Sequence, residues 1–165
     1  MVTRQAKYST SEKGKLSHAK YSSTLRGRFV RSKANAKHRG ICFLITYEEY
    51  VSLTKGTDVC EYCGRTVREC VGLNNFVKKY EGNDPAVLKV CINIKNNGYN
   101  SNNLHIDRKD SLLGYTLENC TLSCAICNYS KGWFLSHSVF KKVAKEAMDE
   151  LINTCVSAGY EVENG

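Results

Sequence analysis

The sequence predicts a small α+β fold: a β-hairpin and the helix after it at the centre, a basic helical arm in front, and a long amphipathic helix behind. Three observations predict it. Two Cys-x2-Cys pairs, Cys60/Cys63 and Cys124/Cys127, bracket the middle of the chain. Leu104 and Ile106 alternate with His105 and Asp107 ahead of a glycine turn, the period of a half-buried strand. All the excess positive charge lies in the first quarter: residues 1–40 hold 11 lysines and arginines against one acid, Glu12, while residues 41–165 hold 13 against 15.

The 165 residues suffice for one modest domain and an appendage, here an arm over 1–40 and a domain over 41–165. In the arm, Ala6-Lys7-Tyr8-Ser9-Thr10 recurs thirteen residues later as Ala19-Lys20-Tyr21-Ser22-Ser23. A basic stretch with a glycine follows each copy, Glu12–Lys15 and then Leu25–Arg28. The Ser/Thr clusters at 9–11 and 22–24 suit helix N-caps, so two basic helices are expected, about 11–20 and 24–38, ending near Gly40. Their apolar residues are too few for a core of their own. The helices therefore lie on the domain or fold fully on a polyanion. Such a charge concentration attracts nucleic acid, driven by counterion release. Arg26, Arg28, Arg31, Lys33, Lys37 and Arg39 are the candidate contacts, and Tyr8 and Tyr21 either pack on sugars and bases or dock on the protein.

In the domain, Ile41–Ile45 has strand propensity. Thr46-Tyr47-Glu48-Glu49 has the Thr-x-x-Glu pattern of a capping box, opening a helix over 47–54 that Gly56 stops. Residues 71–103, with nine asparagines, read as an insertion, with a strand at Val87–Ile94 and a turn at Asn97-Gly98. A strand over 104–108, a turn at Gly114, a second strand near 120–123 and a helix from about Cys124 to Lys131 follow. Ser136 or Ser138 caps the last helix, whose Val139, Phe140, Val143, Ala144, Ala147, Met148, Leu151 and Ile152 line one face as core packing.

The sequence has no run of 18 apolar residues and no apolar signal-peptide core at its start, so an intracellular, reducing compartment without membrane attachment is expected. Nine cysteines there argue for metal ligands and buried thiols over disulfides. The two Cys-x2-Cys turns, 60 residues apart, complete a tetrahedral site with bonds of about 2.3 Å. Four thiolates suit zinc first and iron second. They leave no position open for substrate, so this zinc is structural and its affinity becomes folding energy. Cys42, Cys70, Cys91, Cys120 and Cys155 default to burial, with Cys120 close enough to stand in as a ligand.

The block from Leu104 to Gly132 resembles the HNH (ββα-metal) endonuclease family, in the Asp-Arg variant found in phage proteins and some restriction enzymes. The residues that carry the resemblance are Asp107-Arg108, Gly114-Tyr115, Asn119, and Cys124-x2-Cys127-Asn128 with Lys131. Cys60-x2-Cys63 fits the zinc-containing members, and the likeness spans about 58–135. It implies a ββα-metal core that hydrolyses DNA phosphodiester bonds with one divalent cation, usually magnesium. The residue types suit that chemistry, because a hard cation takes oxygen ligands, neutralises the phosphate and assists the leaving 3′ oxygen. By resemblance, Asp107 supplies the carboxylate and Asn128 the amide oxygen, while Asn119 holds the hairpin turn and touches no metal. Lys131, one turn after Asn128, either reaches a phosphate or stays solvated.

One position departs from the family's commonest form. Arg108 stands where a histidine base is usual; it stays protonated and suits a phosphate clamp instead. Tyr115, by likeness to Asp-Arg relatives, and His105 are the candidates to activate the nucleophile, a metal- or substrate-activated water being the third option. Strand alternation puts His105 on the face of Asp107, and an imidazole's ordinary pKa, about 6.5, suits base work. His18, His38 and His137 read as structural or surface residues. The implied partner is double-stranded DNA, its backbone held by the arm and its minor groove entered by the hairpin and helix. A homodimer would serve double-strand cutting by a single-centre enzyme. Two competing readings are a catalytically inactive zinc-stabilised DNA-binding protein and a small zinc protein that binds other proteins. Neither needs the hard-metal pair Asp107 and Asn128.

Overall fold

The computed structural model describes residues 11–96 and 103–162. The first copy of the repeat, with Tyr8, and the Asn97-Gly98 turn lie outside them.

Ser11 caps α1 (Glu12–Ser23), accepting from the Gly14 N–H at 3.1 Å, and the helix runs three residues past the expected end. Thr24 ends α1 and also caps α2 (Leu25–His38), so the helices meet at a one-residue corner. Gly27 permits that corner, because a Cβ there would collide with the Tyr21 carbonyl. Of the two states open to the arm, the structure has the docked one. Phe29 of α2 is buried among the rings of Phe43, Tyr47 and Tyr50, at centroid distances of 5.6, 5.4 and 5.5 Å. The capping box forms as read, Thr46 and Glu49 opening α3 (Tyr47–Thr54).

Two expected strands do not form. Ile41–Ile45 makes no strand; it makes one parallel bridge, Phe43 to Tyr115. Tyr115 accepts from the Leu44 and Ile45 N–H groups and donates to the Cys42 carbonyl, so one residue exhausts the pairing. The region read as an insertion is mostly helix, α4 (Val67–Lys79) and α5 (Pro85–Asn96). A second capping box, Thr66 with Glu69, opens α4. Val87–Ile94 is therefore helical, not extended. Asp84 Oδ1 accepts from the Ala86 and Val87 N–H groups, Pro85 fits the first helical position, and Val87, Cys91 and Ile94 bury one face. Start signals and helical spacing outweigh the strand preference of valine and isoleucine.

β1 (His105–Arg108) pairs antiparallel with β2 (Cys120–Ser123), Asp107 facing Thr121 and Arg108 facing Cys120. Cys124 caps α6 (Ala125–Lys131), and Ser136, not Ser138, caps α7 (His137–Val156). On α7, Phe140, Ala144, Met148 and Ile152 are buried as expected, but Val139, Val143 and Ala147 are exposed. The predicted stripe is wider than the surface it covers.

Two cores flank the hairpin. One gathers the four Cys-x2-Cys cysteines with Leu73, Val77, Val87, Leu122 and the buried face of α7. The other joins arm to hairpin through Phe29, Ala36, Ile45, Tyr50, Ile106, Tyr115 and Cys120. Cys120 thus belongs to the second core and is no alternative ligand. Cys42 is exposed and Cys70 half-buried, against the default of burial. No helix among the described residues is long and apolar enough to cross a membrane.

Candidate functional site

The Sγ atoms of Cys60, Cys63, Cys124 and Cys127 lie within 4.8 Å of one another, all on buried residues. A tetrahedron of 2.3 Å bonds sets sulfurs about 3.8 Å apart, so the quartet suits a zinc ion. Backbone N–H groups already point at sulfur, Cys124 to Cys60 at 3.2 Å and Cys127 to Cys124 at 3.4 Å. Such donors favour thiolate over thiol. Four unscreened thiols cannot all ionise together: hydrogen bonds from Cys124, Cys127 and Cys63 hold Cys60 far down, and Cys124 pushes Cys63 and Cys127 up. A divalent cation resolves the conflict by binding all four as thiolates.

The hairpin places the other candidates. Asp107 is buried; its Oδ2 accepts from the Tyr62 hydroxyl at 2.6 Å and lies 3.4 Å from Lys131 Nζ. Burial pushes this carboxyl up, with Tyr62 and Lys131 pulling it back. Lys131 needs correction. It is neither solvated nor free for a phosphate but 0% exposed, its ammonium held by Asp107 and by Ser111 Oγ at 3.3 Å. The end of α6 packs on the hairpin turn and carries that side chain inward. Asn128 precedes Lys131 by three residues, so the two are neighbours on one face of α6.

Asn119 ties the turn together. Its Oδ1 accepts from the Asp110 N–H at 2.9 Å, and its Nδ2 donates to the Asp110 and Gly114 carbonyls at 3.0 and 2.8 Å. Arg108 braces the same turn: Nη1 donates to the Ser111 and Leu113 carbonyls, both at 2.6 Å, and its guanidinium lies 5.3 Å from the Tyr115 ring.

A cleft of about 1190 Å³ separates arm from hairpin. His18, Arg28, Arg31 and Arg39 line it from the arm, and His105, Tyr115 and Asn128 from the other side; Asp107 is not among its lining residues. Burial lowers the His105 pKa, and Arg31 and Arg28 lower it further, so the imidazole favours its neutral, proton-accepting form. The buried Tyr115 hydroxyl accepts from Arg39 Nη2 at 2.6 Å. Arg26 is taken up differently, its guanidinium 4.4 Å from the Tyr47 ring centroid. Lys33 and Lys37 are exposed and do not line the cleft.

A solved structure of the rare-cutting HNH restriction endonuclease PacI aligns with 84% of this chain and 83% of its own, at 23% identity and a TM-score of 0.59. The fold is that of an HNH endonuclease. No protein-family model matches the sequence, and no curated protein matches it. In the HNH frame, the hairpin is β1 and β2, the crossing helix is α6, and the four-cysteine site joins the start of that helix to the turn at 60–63.

Sequence reading misses two side chains, Tyr62 and His137, and the partner of a third, Arg39. Tyr62 reaches Asp107 across 45 residues and Arg39 reaches Tyr115 across 76, and no local pattern encodes either interaction. His137, read as structural or surface, has Nδ1 3.4 Å from the Tyr62 hydroxyl. A phenol carries one proton, and Asp107 takes it, so His137 can only donate there.

Proposed function

We propose that the protein is a DNA endonuclease that hydrolyses phosphodiester bonds with one hard divalent cation, magnesium by preference, and holds a structural zinc in its cysteine quartet. The proposal is supported by the HNH-like fold together with a hairpin carboxylate, Asp107, that meets Lys131 of α6, three residues after Asn128. A carboxylate and an amide carbonyl are the oxygen donors a hard cation takes. That cation would neutralise phosphate charge and assist the leaving 3′ oxygen.

The chain's own residues do the rest. Arg28 and Arg31 lie along the cleft wall and face the backbone of double-stranded DNA. His105 accepts the proton of the attacking water, being neutral and, like Asn128, on the cleft wall. Arginine only donates, so Arg39 turns the Tyr115 proton away from itself and fixes the phenol against Arg108. Arg108 acts through the turn it braces. Two copies of the chain would cut both strands.

The test is cleavage of supercoiled plasmid by zinc-loaded protein with magnesium. His105→Ala should lower the rate by about 10²-fold or more, the usual contribution of a general base. Tyr115→Phe should cost much less. The reverse order would transfer the proton-accepting role to Tyr115.

A further inference from the structure

We propose that Tyr62, carried inside the first cysteine turn, is the positioning residue for the Asp107 carboxylate, so that an ion in the cysteine quartet sets the geometry of the hard-cation site. The inference rests on the reading of Asp107 as a cation ligand.

Tyr62 sits between Cys60 and Cys63 and is 3% exposed. Its backbone has little freedom. The Cys60 N–H donates to the Arg65 carbonyl, the Gly64 N–H to the Cys60 carbonyl, and the Glu61 N–H to the Leu122 carbonyl of β2, at 2.8, 2.9 and 3.0 Å. Val59 bridges Thr66 and closes the loop. The ring is held as firmly, edge-on to Phe140 at 5.0 Å and tilted against His137 at 5.3 Å. A phenol fixed at both ends points its only proton at Asp107 Oδ2 over 2.6 Å.

The carboxylate needs such a partner. Rotation of an aspartate about its last torsion is broad, so the strand fixes the carbon and leaves the oxygens to turn. Lys131 approaches the same oxygen at 3.4 Å and divides its ammonium between Asp107 and Ser111 Oγ. Tyr62, at 2.6 Å, is the closer donor of the two. It occupies one side of Oδ2, and the carboxylate also accepts a backbone hydrogen bond from Arg108, so a cation would use the lone pairs that remain. The rigidity comes from the cysteine turn, and an ion held by Cys60 and Cys63 with Cys124 and Cys127 would brace that turn further. Filling the quartet would therefore strengthen binding at Asp107. Partners that orient a ligating group this way are worth about 10- to 100-fold in metal affinity.

The experiment measures manganese binding to zinc-loaded protein by electron paramagnetic resonance, for wild type, Tyr62→Phe and Asp107→Ala. Phenylalanine keeps the ring between Phe140 and His137 and deletes only the hydroxyl. Tyr62→Phe should keep a full zinc content and weaken manganese binding about tenfold or more. Unchanged affinity at full zinc content overturns the proposal. If Asp107→Ala binds manganese as wild type does, the cation-ligand reading itself fails. A double-mutant cycle of Tyr62→Phe with Asp107→Asn on urea unfolding then decides whether the two side chains are linked at all. Non-additive effects sustain the link, and additive ones remove it.

Discussion

Phe29→Ala tests whether the arm is part of the folded body. Phe29 is 7% exposed and meets three rings at 5.4 to 5.6 Å. Truncating a buried phenylalanine costs about 3–5 kcal/mol, the forfeited transfer free energy plus the cavity. Each edge-on aromatic pair adds about 0.5–1.5 kcal/mol beyond its area, which places this site in the upper half of that range. A second limit applies if the arm lets go instead of tolerating the hole. The loss is then capped at the docking free energy of the arm, and Ile45, Tyr50 and Tyr115 lose their cover. The two outcomes separate in one pair of assays. Urea unfolding reads the total cost, and brief trypsin treatment reads undocking, since Arg26, Arg28, Arg31, Lys33 and Lys37 all lie on α2. We expect a loss of at least about 2 kcal/mol with faster cleavage within α2. A change under about 0.5 kcal/mol with wild-type protease resistance would refute the docked arm.

Removing the quartet's ion with a strong chelator should collapse the core around α4, α5 and α7, because all four cysteines belong to it; circular dichroism should show the helices lost and zinc restoring them. Gly114→Ala should destabilise by about 1–3 kcal/mol in urea, since a Cβ there would stand 2.7 Å from the Cys42 carbonyl, backbone that cannot swing aside. Arg31→Glu with Lys33→Glu should weaken DNA binding and flatten its salt dependence, by about 0.9 in slope for each phosphate no longer neutralised, measured by fluorescence anisotropy across a salt series. Point substitutions suit this test better than a truncation of residues 1–39, which would also strip Phe29 and Ala36 from the core.

What the sequence makes legible are features written in short, local patterns. Paired cysteines announce their quartet, a period of two announces β1, and Thr46-x-x-Glu49 announces α3. Helices α4 and α5 carry equally local signals, Thr66-x-x-Glu69 and Asp84-Pro85, but the asparagine-rich composition and β-branched residues argue the other way. There the burial of Leu73, Val77, Val87 and Cys91 in the core around the four cysteines decides, and burial is a tertiary fact. The site divides along the same line. Asp107, Asn119 and Asn128 stand in one ordered block, whereas the Tyr62–Asp107 and Arg39–Tyr115 hydrogen bonds appear only when the chain folds. Lys131 misleads because a lysine at a helix end is usually solvated, and only the packing of α6 on the turn buries it.

The central claim is that Asp107 and Asn128 together hold the cation that cutting requires. The most direct measurement is magnesium-dependent cleavage of supercoiled plasmid by zinc-loaded wild type, Asp107→Ala and Asn128→Ala, with DNA affinity measured in parallel. The account predicts nicked or linear product from wild type alone, and near-normal DNA affinity in all three. Normal cutting by both variants would contradict it.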